Sequence, residues 1–131
     1  MSDIDDTPGP IGELTLQTIA MPKDTNPQGD IFGGWLLSQL DLAGGIAAGN
    51  KARGRVATVS VDQMSFMVPV KVGDVVSVYT EIVNVGRSSV TIAIEVWSSN
   101  HETLELQKVT DGVFVFVAID EKGRTRSLPN H

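Results

Sequence analysis

Between Ile31 and Ala48 the chain carries one ionisable side chain, Asp41, among leucines, alanines and glycines. Leu36, Leu40, Ala43 and Ala47 recur at helical spacing, and Leu37 and Ile46 broaden the stripe, so the segment predicts one helix. With so little polar surface, such a helix is expected to be covered nearly all round. A chain of 131 residues can do that only by wrapping a sheet about it. Gly44 and Gly45 each cost about 1 kcal/mol relative to alanine inside a helix, tolerable where another backbone passes close by. Extended to Gly49, the same stretch could mimic a membrane span. Asp41, Ser38, Gln39 and the glycines make insertion costly, and that reading is rejected.

The remainder reads as β-structure. Leu14, Leu16 and Thr18 alternate with Thr15 and Gln17 as a first strand, ahead of a loop from Met21 to Asp30 with two prolines and a glycine. After Lys51, Arg53 and Arg55 come candidate strands at Val56–Val61, Met64–Met67, Val75–Val85, Ser88–Ser98 and Leu106–Asp120, with a hairpin turn at Ser99–Glu102. One early strand, one helix and a run of antiparallel strands is an α+β order. In the last strand Val113, Val115, Val117 and Ile119 share one face. Phe114 and Phe116 share the other, and are expected with Trp97 to face away from the helix. A sheet apolar on both faces calls for a second subunit.

Bulk properties bound the chemistry. The length fits one domain, read as residues 13–131 behind a flexible tail at 1–12. A net charge of −6 gives no whole-molecule attraction to nucleic acid or to anionic membranes, and neither is expected as a partner. Cysteine is absent, which excludes disulfides, thiolate nucleophiles and cysteine-ligated metals. The acidic, proline-bearing start lacks the features of a secretion signal, so a cytoplasmic location is expected.

Asp41 is the first candidate for chemistry. A carboxylate amid apolar residues carries a desolvation cost unless paired or used, and desolvation strengthens it as a base. A buried aspartate satisfied by an amide or an arginine is the bland alternative. Gly33 and Gly34 stand where the loop enters the helix, and first-turn amides there, with the positive end of the helix dipole, suit a developing oxyanion. Lying two turns before Asp41, they are expected to address the same groove alongside the helix. Asp30 is read first as the helix cap. His101 and His131 sit in a turn and at the last position, too few and too far apart for a serine hydrolase or a zinc site. No phosphate-binding loop, dinucleotide fingerprint or nucleophile elbow is present.

The run Asn26-Pro27-Gln28-Gly29-Asp30-Ile31-Phe32-Gly33-Gly34-Trp35-Leu36-Leu37-Ser38-Gln39-Leu40-Asp41 resembles the signature of the YciA-type acyl-CoA thioesterases. The likeness continues through Ala57-Thr58-Val59, Phe66, Pro69-Val70, Gly73-Asp74, Gly86-Arg87-Ser88-Ser89, Glu95-Val96-Trp97 and Gly123-Arg124. The resemblance implies a hotdog fold, in which a curled antiparallel sheet wraps one long central helix and pairs with a second subunit. It implies a site at the dimer interface, with Asp41 activating water or attacking the thioester and amides near Gly33 and Gly34 holding the carbonyl oxygen. Asn26 and Asp30 would lie close by. Arg87, Ser88 and Ser89 would sit near the coenzyme's phosphates, with Arg124 and Arg126 as further candidates or as plain turn residues.

These readings converge on hydrolysis of acyl-CoA to a fatty acid and coenzyme A. No cofactor or metal is needed, and coenzyme A enters only as part of the substrate. A homodimer is the expected minimal unit, associating further into a tetramer or hexamer. Two rivals remain: a hotdog module that binds acyl-CoA without cleaving it, and a hotdog dehydratase. The second ranks last for want of a histidine near the helix.

Overall fold

A computed structural model describes residues 9–66 and 68–129. The elements run β1 (Glu13–Ile19), a short 3-10 turn (Pro22–Asp24), α1 (Gly33–Ala52), β2 (Val56–Phe66), β3 (Val75–Val85), β4 (Ser89–Ser99) and β5 (Leu106–Ala118). The strands form one antiparallel sheet in the order β1-β3-β4-β5-β2. It wraps α1, which touches all five strands. This is the expected hotdog architecture.

Helix α1 starts at Gly33 and ends when Arg53 turns into the left-handed region at φ 57°. Its buried side is Leu36, Leu40, Ala43, Gly44, Ala48 and Ala52. Against it lie Val76 and Val78 of β3, Val90, Ile92, Ile94 and Val96 of β4, and Phe114 and Phe116 of β5. Alternation along β4 and β5 puts these residues on the helix side.

Four expectations are corrected. The helix is not covered all round: Leu37, Leu42 and Ile46 are exposed, so the sheet closes over one side only. Phe114 and Phe116 face the helix rather than away from it, with their rings 6.2 Å apart. Gly44 accommodates no passing backbone; a Cβ there would lie 2.7 Å from the Phe116 ring and 2.8 Å from Ile94 Cδ1. The two short strands expected around Val56–Met67 are one. Register shifts after Thr58 and after Asp62, with Gln63 at φ 55°, carry the ladder through the polar stretch that reads as a break.

Part of the expected tail is engaged. The Ile11 amide donates to Glu95 Oε1 at 3.2 Å, and a side chain at Gly12 would collide with the Thr80 carbonyl oxygen. The rest of that tail, residues 1–8, lies outside the described residues, as does His131. No helix among the described residues is long and apolar enough to cross a membrane.

Candidate active site

Asp41 stands in the third turn of α1, at the rim of the open side and beside β2. The Thr58 hydroxyl donates to its Oδ1 at 2.6 Å. The position of Thr58 follows from packing further in. Thr58 pairs across the ladder with Phe116, and cross-strand partners share a face. The Phe116 ring occupies the space left by the missing side chain at Gly44, which brings its neighbour on β2 up to the carboxylate. Among the described residues Oδ2 of Asp41 has no hydrogen-bond partner. The expected burial of Asp41 is not found: it is exposed, because the helix face it shares with Leu42 and Ile46 is uncovered.

The helix entrance is tied down by backbone. Ile31 donates its amide to the Val70 carbonyl at 3.2 Å, and Phe32 donates to Asp24 at 3.2 Å. Asp24, which the sequence reading passed over, is buried. Its carboxylate accepts the Met21 amide at 3.3 Å and the Lys23 ammonium at 3.4 Å. Phe32 occupies the cap position of α1 without a side-chain cap bond, so the capping role expected of Asp30 is corrected. The amides of Gly33 and Gly34 consequently have no acceptor among the described residues. Gly33 borders an apolar cleft of about 320 Å³ with Ile31, Leu36, Phe66, Val68, Pro69 and Val70.

Asn26 organises the loop. Its Oδ1 accepts the amides of Gln28 at 3.0 Å and Asp30 at 3.1 Å, and its own amide donates to the Asp30 carbonyl at 2.7 Å. Gly29 makes this turn possible at φ 89°. The Asp30 side chain is left exposed.

One expectation about the groove sits poorly with the geometry. Gly33 and Asp41 are eight residues apart on a continuous helix, about 12 Å along its axis. A base and an oxyanion donor must each lie about 3 Å from the reacting group. That spacing is wider than two such contacts in one chain readily span.

The basic candidates gather around the segment after β5. Arg87 Nε donates to Ser127 Oγ at 3.3 Å, and its carbonyl accepts the Leu128 amide at 2.8 Å. The Ser88 carbonyl accepts the Ala118 amide at 2.8 Å, and Ser89 closes the β3–β4 turn by accepting from Gly86 at 2.8 Å. Arg124 is exposed, its amide fixed on Asp120 Oδ1 at 2.9 Å. Arg126 is committed within the chain: Nε donates to the Ile119 carbonyl at 3.1 Å and Nη2 to that of Ala52, at the end of α1, at 3.0 Å. Arg55, not singled out from the sequence, donates to the Glu121 carbonyl at 3.3 Å and adds a further cation.

Comparison with known proteins identifies the family. The model of the thioesterase superfamily matches residues 28–105. The acyl-CoA thioester hydrolase YciA of Escherichia coli (strain K12) is 50% identical over 123 residues, covering 92% of this chain and 93% of that protein. A hexameric broad-specificity acyl-coenzyme A thioesterase, HI0827, solved as an aspartate-to-alanine mutant enzyme, superposes with a TM-score of 0.89 at 49% identity, over 92% of this chain and 89% of that one. A hexameric hotdog-fold thioesterase of Campylobacter jejuni gives 0.84 at 41% identity, over 89% and 90%. An exposed carboxylate steadied by a hydroxyl, uncapped glycine amides at the helix start and this depth of likeness place the chain in the thioesterase superfamily, among the YciA-type acyl-CoA thioester hydrolases.

Proposed function

We propose that the chain hydrolyses acyl-CoA with Asp41 as the base that activates water or as the nucleophile itself. The observation that carries this is the Asp41 carboxylate on an open apolar helix face, one oxygen held by Thr58 and the other without a partner among the described residues. In the base reading, Oδ2 takes a proton from water as its oxygen bonds to the thioester carbon. The carbonyl oxygen becomes the oxyanion held by glycine amides. Collapse breaks the carbon–sulfur bond, and the coenzyme A thiolate leaves and is protonated. The thioester is activated enough for a carboxylate, water and two amides to serve, so no cofactor or metal is invoked.

The separation of about 12 Å along α1 supports a site shared by two chains, Asp41 from one and Gly33 and Gly34 from its partner, with a homodimer as the proposed minimal catalytic unit. Strand β2 suits the junction. It is a sheet edge, long, and exposes Val59, Val61 and Phe66, a surface that stays soluble only when paired. Relatives described as hexameric support three such dimers per particle. Arg87, Ser88, Ser89 and Arg124 are assigned to the phosphates, with Asn26 and Asp30 shaping the loop beside the site, and the cytoplasm is the proposed place of work.

The test is thiol release from an acyl-CoA panel, monitored with a thiol reagent. Wild type should release coenzyme A, and Asp41→Asn should lose about 10²- to 10⁴-fold in kcat while still binding coenzyme A. Wild-type-like turnover by that variant would remove Asp41 from the mechanism. Binding without release in the wild type would instead favour a sensor module.

A further inference from the structure

Two adjacent glycines in the middle of α1 have different surroundings. Gly44 is required by packing, since a Cβ there would meet Phe116 and Ile94 at 2.7 and 2.8 Å. Gly45 is not: a Cβ would touch only the Phe116 ring edge, at 4.0 Å. Its backbone is helical, so no left-handed conformation demands glycine either. Nothing in its own chain explains a residue that weakens the helix.

Gly45 follows Asp41 by one turn, on the same side of the helix and about 6 Å further along it. On the open side it is bordered by Leu42 and Ile46, 56% and 45% exposed. Inside a helix every backbone amide is already bonded, so this floor offers shape and no polar partner. Such a surface fits an alkyl chain and offers nothing to the amides of the pantetheine arm. The acyl chain is attached to the carbon that Asp41 must address, and it has to leave that carbon across a neighbouring surface.

We infer that Gly45 is a specificity-determining position, a smooth floor between Leu42 and Ile46 over which the acyl chain passes beyond the first few methylenes. This rests on the hydrolase reading above and deepens it to medium and long acyl chains as substrates. A side chain at position 45 would meet the edge of the Phe116 ring at ordinary contact distance and otherwise extend toward the acyl chain.

Gly45→Ala and Gly45→Leu should be compared with wild type on propionyl-, octanoyl- and dodecanoyl-CoA, with particle mass measured by light scattering. The expected result is graded. The ratios of kcat/KM for octanoyl- and dodecanoyl- over propionyl-CoA fall about tenfold or more in the alanine variant and further in the leucine variant, at unchanged particle mass. An equal loss on all three substrates, or no change in the ratios, overturns the assignment and leaves the hydrolase standing. Dissociation of the particle by Gly45→Ala also overturns it, because the glycine is then kept for contact between subunits. A wild type that releases no thiol from any of the three removes both readings together.

Discussion

The Thr58 hydroxyl donates to Asp41 Oδ1 at 2.6 Å, joining the middle of α1 to edge strand β2. The bond restrains the rotation of the carboxylate and leaves the second oxygen without a partner among the described residues. Thr58→Val keeps the shape and removes the donor. Its kcat should fall about 10- to 100-fold, below the 10²- to 10⁴-fold typical of losing the general acid or base itself, with KM little changed. Thr58→Ser should restore most of the rate. Equal kinetics for the valine and serine variants would show the hydroxyl to be idle.

Gly44→Ala places a methyl group against Phe116 and Ile94. Overpacking of this kind costs about 1–3 kcal/mol, against a helix-propensity gain of about 1 kcal/mol. A net loss in urea denaturation is expected. The same substitution at Gly45, free of that collision, should hold or raise stability.

Arg126 Nη2 on the Ala52 carbonyl closes the C-terminal end of α1. Removing a charged donor to a backbone carbonyl costs about 1.5–3 kcal/mol. Arg126→Ala should therefore lower Tm and leave KM for acyl-CoA nearly unchanged. Arg124→Ala should do the reverse, raising KM at constant Tm. Exchanged phenotypes would reassign the two arginines.

Lys108 is hydrogen-bonded by Asp111 at 2.7 Å and lies 3.5 Å from Glu95. The Asp111 bond, aided by the charge of Glu95, raises the ammonium above its ordinary value of 10.5, with burial opposing. A raised pKa in the folded state favours folding fully below about 10.5, the value in an unfolded chain, and the benefit is lost as pH climbs through the folded value. The stability gap between wild type and Lys108→Met should thus be level from neutral pH to about 10 and shrink above that. A gap that widens there would contradict the assigned partners.

The helix, the run of antiparallel strands after it and Asp41 were legible in the sequence because each rests on periodicity or on one charge amid apolar neighbours. Facing was harder. Both sides of β5 carry large apolar residues, so alternation alone cannot say whether Phe116 or Val115 meets the helix. The missing side chain at Gly44 decides it. Thr58 was quoted in the family likeness but given no role, because its contact with Asp41 depends on the register of β2 against β5, which shifts just after it. The open face of α1 was missed for a simpler reason: composition shows that a helix needs cover, and not whether its own chain supplies it.

The span between Gly33 and Asp41 has a genetic consequence. Proline is tolerated at the first helical position, so Gly33→Pro deletes an amide donor while sparing the fold. Two inactive proteins, Gly33→Pro and Asp41→Asn, would rescue each other when unfolded together and refolded as a mixture. In each hybrid pair one cleft inherits both lesions and the other inherits neither. Activity returning from two silent parents would be the signature of an enzyme that no single copy can be.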